Sequence, residues 1–366
     1  WPFHHPGVPE KVRMPVSDPA AEVGADRRPV FVLLALATVA LGWILLPFYG
    51  TILWAGILAM LFIPVHRWFL VRLGHRVSYL VPQGSHCDFA QVLAIREGVD
   101  WAEQIPADVD LVHFQFNPPD LAKLDRPYLM TQHGNSPEHA PLPLNTVFVS
   151  RNHAERHGST EFVYNGLDWE AYGPVDFERP RPYVHFLGKA AWRVKNVQGA
   201  IDVAGDAGVQ LMVLGGTRLN IKRGFRFTWS RRVGFAGMVG GQVKLDLLQG
   251  SRGLIFPVLW HEPFGLAVIE SLYFGCPVYA TPYGALPELV PAACGLLSAS
   301  RGELADAVRQ GGFDARACHE QATRHFSAAA MAAGYLQIYQ RILDGETLHA
   351  TPPAMTASAK ALPWLP

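Results

Sequence analysis

The ten residues His261 to Glu270 read HEPFGLAVIE. They put one carboxylate, Glu262, just before a Pro-Phe-Gly turn and a second, Glu270, eight positions on. The run before them, GLIFPV (253–258), is apolar and strand-like. LAVIESLYFG reads as a helix ended by Gly275 and then Pro277. Gly265 and Leu266 therefore stand at a helix N-terminus that follows a strand. Free N–H groups and the helix dipole favour an anion there, and glycine lets a phosphate come close to the backbone. Glu270, inside the helix, can accept hydrogen bonds from the paired hydroxyls of a ribose. Glu262, in the loop, would reach another part of the ligand. A phosphate flanked by polyhydroxylated sugars fits both. The bland reading, two solvated glutamates and a turn glycine, fits the spacing equally well.

The elements that would hold these residues are legible around them. VSYLVP (77–82), DLVHFQF (110–116), PYLMTQ (127–132) and NTVFVS (145–150) read as buried strands, and FVYNGLD (162–168) follows. PYVHFLG (182–188), LMVLGG (211–216), VGFAGM (233–238), GLIFPV and PVYATP (277–282) continue the series, with helical stretches such as VQGAIDVAGDAG (197–208) between them. Apolar strands without period-two alternation, separated by helices, predict parallel sheets covered on both faces. We expect an α/β chain of two Rossmann-like domains facing a cleft, the first over 77–178 and the second, nucleotide-binding, over 179–326. A terminal helix is expected at 327–345 and a disordered tail at 346–366.

The 366 residues carry 31 Lys plus Arg and 31 Asp plus Glu, so the net charge is zero and does not suggest a nucleic-acid partner. The four cysteines stand apart with no C-x-x-C pair, which argues against a disulfide framework or a zinc site. Residues 30–65 contain no charge, and Pro47 lies near the middle of the run. With Arg27 and Arg28 before it and Arg67 and Arg72 after, the pattern predicts an α-helical membrane hairpin over 30–76 with both ends cytoplasmic. Residues 1–29 are expected to be a disordered leader. NIKRGFRFTWSRR (220–232) interleaves five basic residues with three aromatic ones. It reads as a solvated loop, or as a surface for acidic lipid head groups or an anionic acceptor; the neutral charge argues against nucleic acid.

Over residues 75–345 the chain resembles the GT-B glycosyltransferases of family 4. FPVLWHEPFGLAVIESLYFGCPVYATPYGALPELV matches that family's Glu, seven residues, Glu signature. FLGKAAWRVKN is similar to the motif whose two basic side chains hold the donor diphosphate, which implies Lys189 and Lys195. GFAGMVGG is similar to the strand and turn that meet the nucleobase, near Met238 and Val239. TQHGNS is similar to the first-domain histidine motif, which implies His133 beside the transferred sugar, and VYNGLD to the interdomain segment. The resemblance implies retaining transfer of a sugar from a nucleoside-diphosphate sugar to a carbohydrate or lipid-linked acceptor, with Glu262, His133 and Lys195 in the catalytic roles and no metal or other cofactor. It leaves open an inactive, membrane-anchored sugar-nucleotide-binding module and a GT-B epimerase. The family's first strand, glycine-rich loop and helix have no counterpart, so the first domain is expected to be truncated. Residues 27–76 resemble the start of autoinducer-2 exporter-like permeases. The implied location is cytoplasmic, anchored through that leader and in contact with membrane lipid, or cytosolic without it.

Overall fold

The computed structural model describes residues 75–87, 90–221, 225–356 and 362–366. The disordered leader and membrane hairpin expected over 1–76, and the permease likeness with them, lie outside the described residues except for 75 and 76. Among the described residues no helix is long and apolar enough to cross a membrane.

Among the described residues, the first half is strand-rich and poor in helix. Strands β1 (Ser78–Val81) and β2 (Gln91–Ala94) form a parallel pair, and β3 (Val112–Phe114), β4 (Tyr128–Gln132) and β5 (Thr146–Phe148) form a parallel three-stranded sheet. The α-helix described in this half is α1 (Arg151–Glu155), capped by the Ser150 side chain on the His153 amide. Among the described residues, the helices expected on both faces of this sheet from the strand pattern are not found.

The second half is regular. It runs β6 (Tyr183–Leu187), α2 (Val197–Ala207), β7 (Gln210–Leu214), β8 (Leu219–Asn220), β9 (Arg226–Phe227), β10 (Val233–Gly237), α3 (Gly241–Gln249), β11 (Ser251–Phe256), α4 (Leu266–Tyr273), β12 (Val278–Ala280), α5 (Leu286–Leu289), β13 (Gly295–Leu297), α6 (Arg301–Gln310), α7 (Ala315–His325) and α8 (Ala328–Leu343). Six strands form one parallel sheet in the order β10-β7-β6-β11-β12-β13. Winding thus starts at β6, proceeds to one edge, and reverses at β11. Ligands of doubly wound sheets bind at this reversal, beyond the carboxyl ends of the strands.

Val184, Phe186, Val203, Leu211 and Val213 pack on one face of this sheet with Leu304 and Val308 of α6. The other face joins Leu254, Phe256, Val268 and Leu272 to Leu129, Val147 and Val163 of the first half in one continuous core. Helix α8 supplies cover that the first half lacks. Tyr339 meets His113 Nδ1 at 2.7 Å, His113 Nε2 meets Thr131 Oγ1 at 2.7 Å, and Thr131 meets the Tyr335 hydroxyl at 3.0 Å. Arg341 forms a bidentate pair with Glu161.

The tail differs from expectation. Its Pro/Ala/Thr composition suggests disorder, but its described residues are held by main-chain bonds. The Leu142 and His139 amides donate to Pro353 O and Met355 O, and the Ala354 amide donates to His157 O. Farther on, the Leu365 amide donates to Ala299 O and the Arg301 amide to Leu365 O. Such bonds need no particular side chain, which is why composition does not disclose them.

Candidate active site

Two loops meet at the winding reversal. The one after β6 carries both lysines on tight turns: the Trp192 amide donates to Lys189 O at 2.9 Å and the Lys195 amide to Trp192 O at 3.0 Å. The one after β11 carries Glu262. They are laced together, the Leu259 amide donating to Val194 O at 2.7 Å and Asn196 Nδ2 to Pro257 O at 3.0 Å. An open hollow of about 560 Å³ lies here, lined by Trp192, Arg193, Val194 and Trp260.

Lys195 and Glu262 form a nearly buried ion pair. Lys195 Nζ donates to Glu262 Oε2 at 2.6 Å, and Trp260 Nε1 donates to the same oxygen at 2.7 Å. The ammonium also lies 4.8 Å from the Trp260 ring centre and 5.2 Å from that of Phe256, within cation–π range. The other sequence-predicted lysine, Lys189, stacks on Trp192 at 4.9 Å. Glu262 is fixed through its main chain as well, its carbonyl accepting from the Ala285 amide at 2.9 Å. Gly284 stands so close that an added Cβ would come within 2.3 Å of Glu262 N and O; its φ of +67° also favours glycine.

Glu270 lies on the buried side of α4, and its carboxylate is held by Tyr172 and Lys244. The Tyr172 hydroxyl donates to Oε1 at 2.5 Å, and Lys244 Nζ donates to the same atom. Both contacts fall on Oε1. Burial, reinforced by the Glu270 charge, pushes the Tyr172 phenol well above its ordinary pKa, so it stays a donor. Neither Tyr172 nor Lys244 stands out in the sequence: each is a lone residue whose partner is distant along the chain.

Gly265, at φ +111°, is the N-cap of α4, and Leu266 opens the helix. Their amides are therefore at the position expected of an anion-binding helix end. Val239 packs against the core and Met238 is exposed, both just past the end of β10.

The first half contributes the loop after β4. His133 Nε2 lies 2.9 Å from Gln115 Oε1, and burial pushes the imidazole down to about 4, keeping it neutral. Two residues on, Asn135 Nδ2 donates to His261 O at 2.9 Å, beside Glu262, while Asn135 Oδ1 accepts from Arg156 Nη1 at 2.9 Å. Ser150 Oγ donates to Pro263 O at 2.6 Å. The structure thus ties the His133 loop to the Glu262 loop. A further link, absent from the sequence reading, is Glu288: it accepts from the Arg151 and Asn152 amides and from the Tyr164 hydroxyl. Among the described residues no three His, Cys, Asp or Glu side chains converge as a metal site requires.

Residues 181–311 match the family model described as glycosyl transferases group 1. No curated protein matches the chain. Among solved structures, the glycosyltransferase AviGT4 of avilamycin A biosynthesis is 22% identical with a TM-score of 0.63, over 79% of this chain and 90% of that one. A glycosyltransferase from Rickettsia africae is 16% identical with a TM-score of 0.59, over 78% and 94%. Anabaena HepE, solved with UDP-glucose, is 18% identical with a TM-score of 0.50, over 61% and 74%. The class these define is a glycosyltransferase, with a group 1 domain on a GT-B-like framework of parallel sheets.

Proposed function

We propose that the chain is a retaining glycosyltransferase of the family 4 type, moving a sugar from a nucleoside-diphosphate sugar to an acceptor hydroxyl. The observation that carries this reading is the Lys195–Glu262 pair at the winding reversal, one turn of chain ahead of the α4 N-terminus. A diphosphate entering there would draw Lys195 onto its oxygens, with Lys189 and the Gly265 and Leu266 amides adding positive potential. Glu262, released from the lysine, would orient sugar hydroxyls and stabilise positive charge on the ring. His133, neutral, would bond the sugar and not act as a base. Glu270 Oε2 would take the ribose hydroxyls, with Met238 and Val239 near the base.

In the step itself the acceptor oxygen bonds to the anomeric carbon as the bond from that carbon to the diphosphate breaks. The diphosphate leaves with the electron pair and takes the acceptor proton on the same face. The lysines supply the countercharge, so the scheme uses no metal. We place the catalytic part on the cytoplasmic side, where nucleotide sugars are made.

Because HepE was solved with UDP-glucose, UDP-glucose is the first donor to test, then other UDP-, GDP- and ADP-sugars, each with and without a mixed panel of sugar and lipid-linked acceptors. Acceptor-dependent release of nucleotide, with a product of the donor's anomeric configuration by NMR, supports the proposal. Inverted product refutes retention. Conversion of the donor with no acceptor would identify an epimerase, and saturable binding without turnover a binding module.

A further inference from the structure

Strands β8 and β9 form a two-stranded antiparallel ribbon that pairs Leu219 with Phe227 and Asn220 with Arg226. Its two faces are patterned in reverse of the usual order. Leu219, Ile221, Phe225, Phe227 and Trp229 alternate with their neighbours and are exposed, Ile221 at 74%, Phe225 at 78% and Trp229 at 85%. Period two along each strand, with Leu219 opposite Phe227, puts them on one face. The opposite face carries Arg226 and the buried Thr228 and turns toward the body. Arg226 donates to Thr228 Oγ1 at 2.7 Å and lies over Phe235, as does Arg218, which also bonds Thr228 O and Val233 O. The polar face is anchored and the apolar face is bare. Other exposed large apolar residues in the described chain are scattered more singly and mean little.

Beside the ribbon stand Arg231 and Arg232, both exposed, and neither forms an ion pair with a described residue. We propose that this ribbon is a membrane-docking element, laying its apolar face into the headgroup boundary of an anionic bilayer while Arg231 and Arg232 meet lipid phosphates. Aromatic rings favour that depth, and basic side chains there gain from the surface charge. The makeup of the face selects this occupant. A glycan would stack on the aromatic rings but gain nothing from Leu219 and Ile221. A second copy would bring the arginines of two ribbons together without a matching carboxylate. Nucleic acid would meet aliphatic side chains where it needs cations.

The test uses the full chain with vesicles of phosphatidylcholine, alone or mixed with phosphatidylglycerol, made with brominated acyl chains that quench tryptophan on contact. Comparison of wild type with Trp229→Phe isolates the signal of Trp229, whatever residues 30–65 do in the bilayer. The expected result is quenching assigned to Trp229 that appears with phosphatidylglycerol. It should weaken in high salt and drop about fivefold for each of Arg231→Gln and Arg232→Gln, the effect of one juxtamembrane charge. Phe225→Ser should reduce the quenching assigned to Trp229 by roughly tenfold or more, with circular dichroism unchanged because the side chain faces outward. Equal quenching of wild type and Trp229→Phe in every lipid would overturn the proposal. So would a Trp229-dependent dimer in sedimentation, or a Trp229 response to soluble oligosaccharide without one to vesicles.

Discussion

Glu288, on the short helix α5 of the second half, accepts the backbone amide of Asn152 at 2.7 Å, where helix α1 of the first half begins. The same carboxylate takes the Arg151 amide at 3.0 Å and the Tyr164 hydroxyl at 2.8 Å. One side chain thus satisfies two of the donors that a helix start leaves open. Glu288→Ala should lower the stability of the whole chain by about 1–3 kcal/mol, since partly buried donors lose their acceptor. Glu288→Gln should cost less. Urea unfolding checks both, and an unchanged midpoint for the alanine variant would remove Glu288 from the junction's energetics.

On the proposed mechanism, Lys195 and Glu262 separate donor binding from chemistry. Lys195→Met should weaken nucleotide-sugar binding and turnover together, because its charge meets the diphosphate in the ground state and as it leaves. Glu262→Gln should leave binding within a few-fold and lower turnover by roughly a hundredfold or more, the scale of a lost transition-state contact. Calorimetry alongside steady-state rates distinguishes the two. Equal losses of affinity in both variants would contradict the division of roles.

Tyr172 fixes the Glu270 carboxylate by way of Oε1, which in the proposed site leaves Oε2 for a ribose. Tyr172→Phe should weaken binding of the nucleoside diphosphate by roughly ten- to a hundredfold, the value of one hydrogen bond to a charged group. Binding of the 2′,3′-dideoxy analogue should hardly change. If both ligands weaken alike, Tyr172 supports the fold and not the ribose contact.

His185 gives the stability a predictable acid limb. It is fully buried between Ser251 and Ser271, 2.7 and 2.8 Å from their hydroxyls, and burial pushes its pKa down to about 3. The unfolded imidazole titrates near 6.5. Above that pH neither state binds the proton and the native state keeps its full advantage. Below it the unfolded chain takes up a proton that the folded one refuses, so stability falls as pH drops from about 6.5 toward 3. The slope from this residue is about 1.4 kcal/mol per pH unit. Denaturant unfolding at several pH values measures it, and a flat profile between pH 6.5 and 4.5 would show that His185 accepts the proton when folded.

The sequence disclosed most where chemistry and periodicity coincide. Glu262, Gly265 and Glu270 lie within ten residues at the end of an apolar strand, so one local pattern predicts both an element boundary and a ligand. Lys189 and Lys195 are likewise close together after β6. Tyr172, Lys244 and Glu288 carried no such signal, because what they do is set by partners 98, 26 and 136 residues away. Strands β2 and β13 are not legible in the same way, although β1, β3, β5 and β12, which are just as short, are. In the first half the strand pattern was legible, but it implied helices on both faces that the described residues do not show there.

The cover that α8 gives the first half also bears on how this protein is made. His113 and Thr131 find their phenol partners 226 and 204 residues later in the chain. While the chain is being synthesised, the sheet of β3, β4 and β5 therefore emerges with that side uncovered and waits through nearly the whole second half for α8. Contacts of such long span are slow to form, and bare strands are prone to wrong pairings meanwhile. Translation that stalls before residue 328 would leave a finished six-stranded sheet attached to an unfinished partner, a species for chaperones to hold.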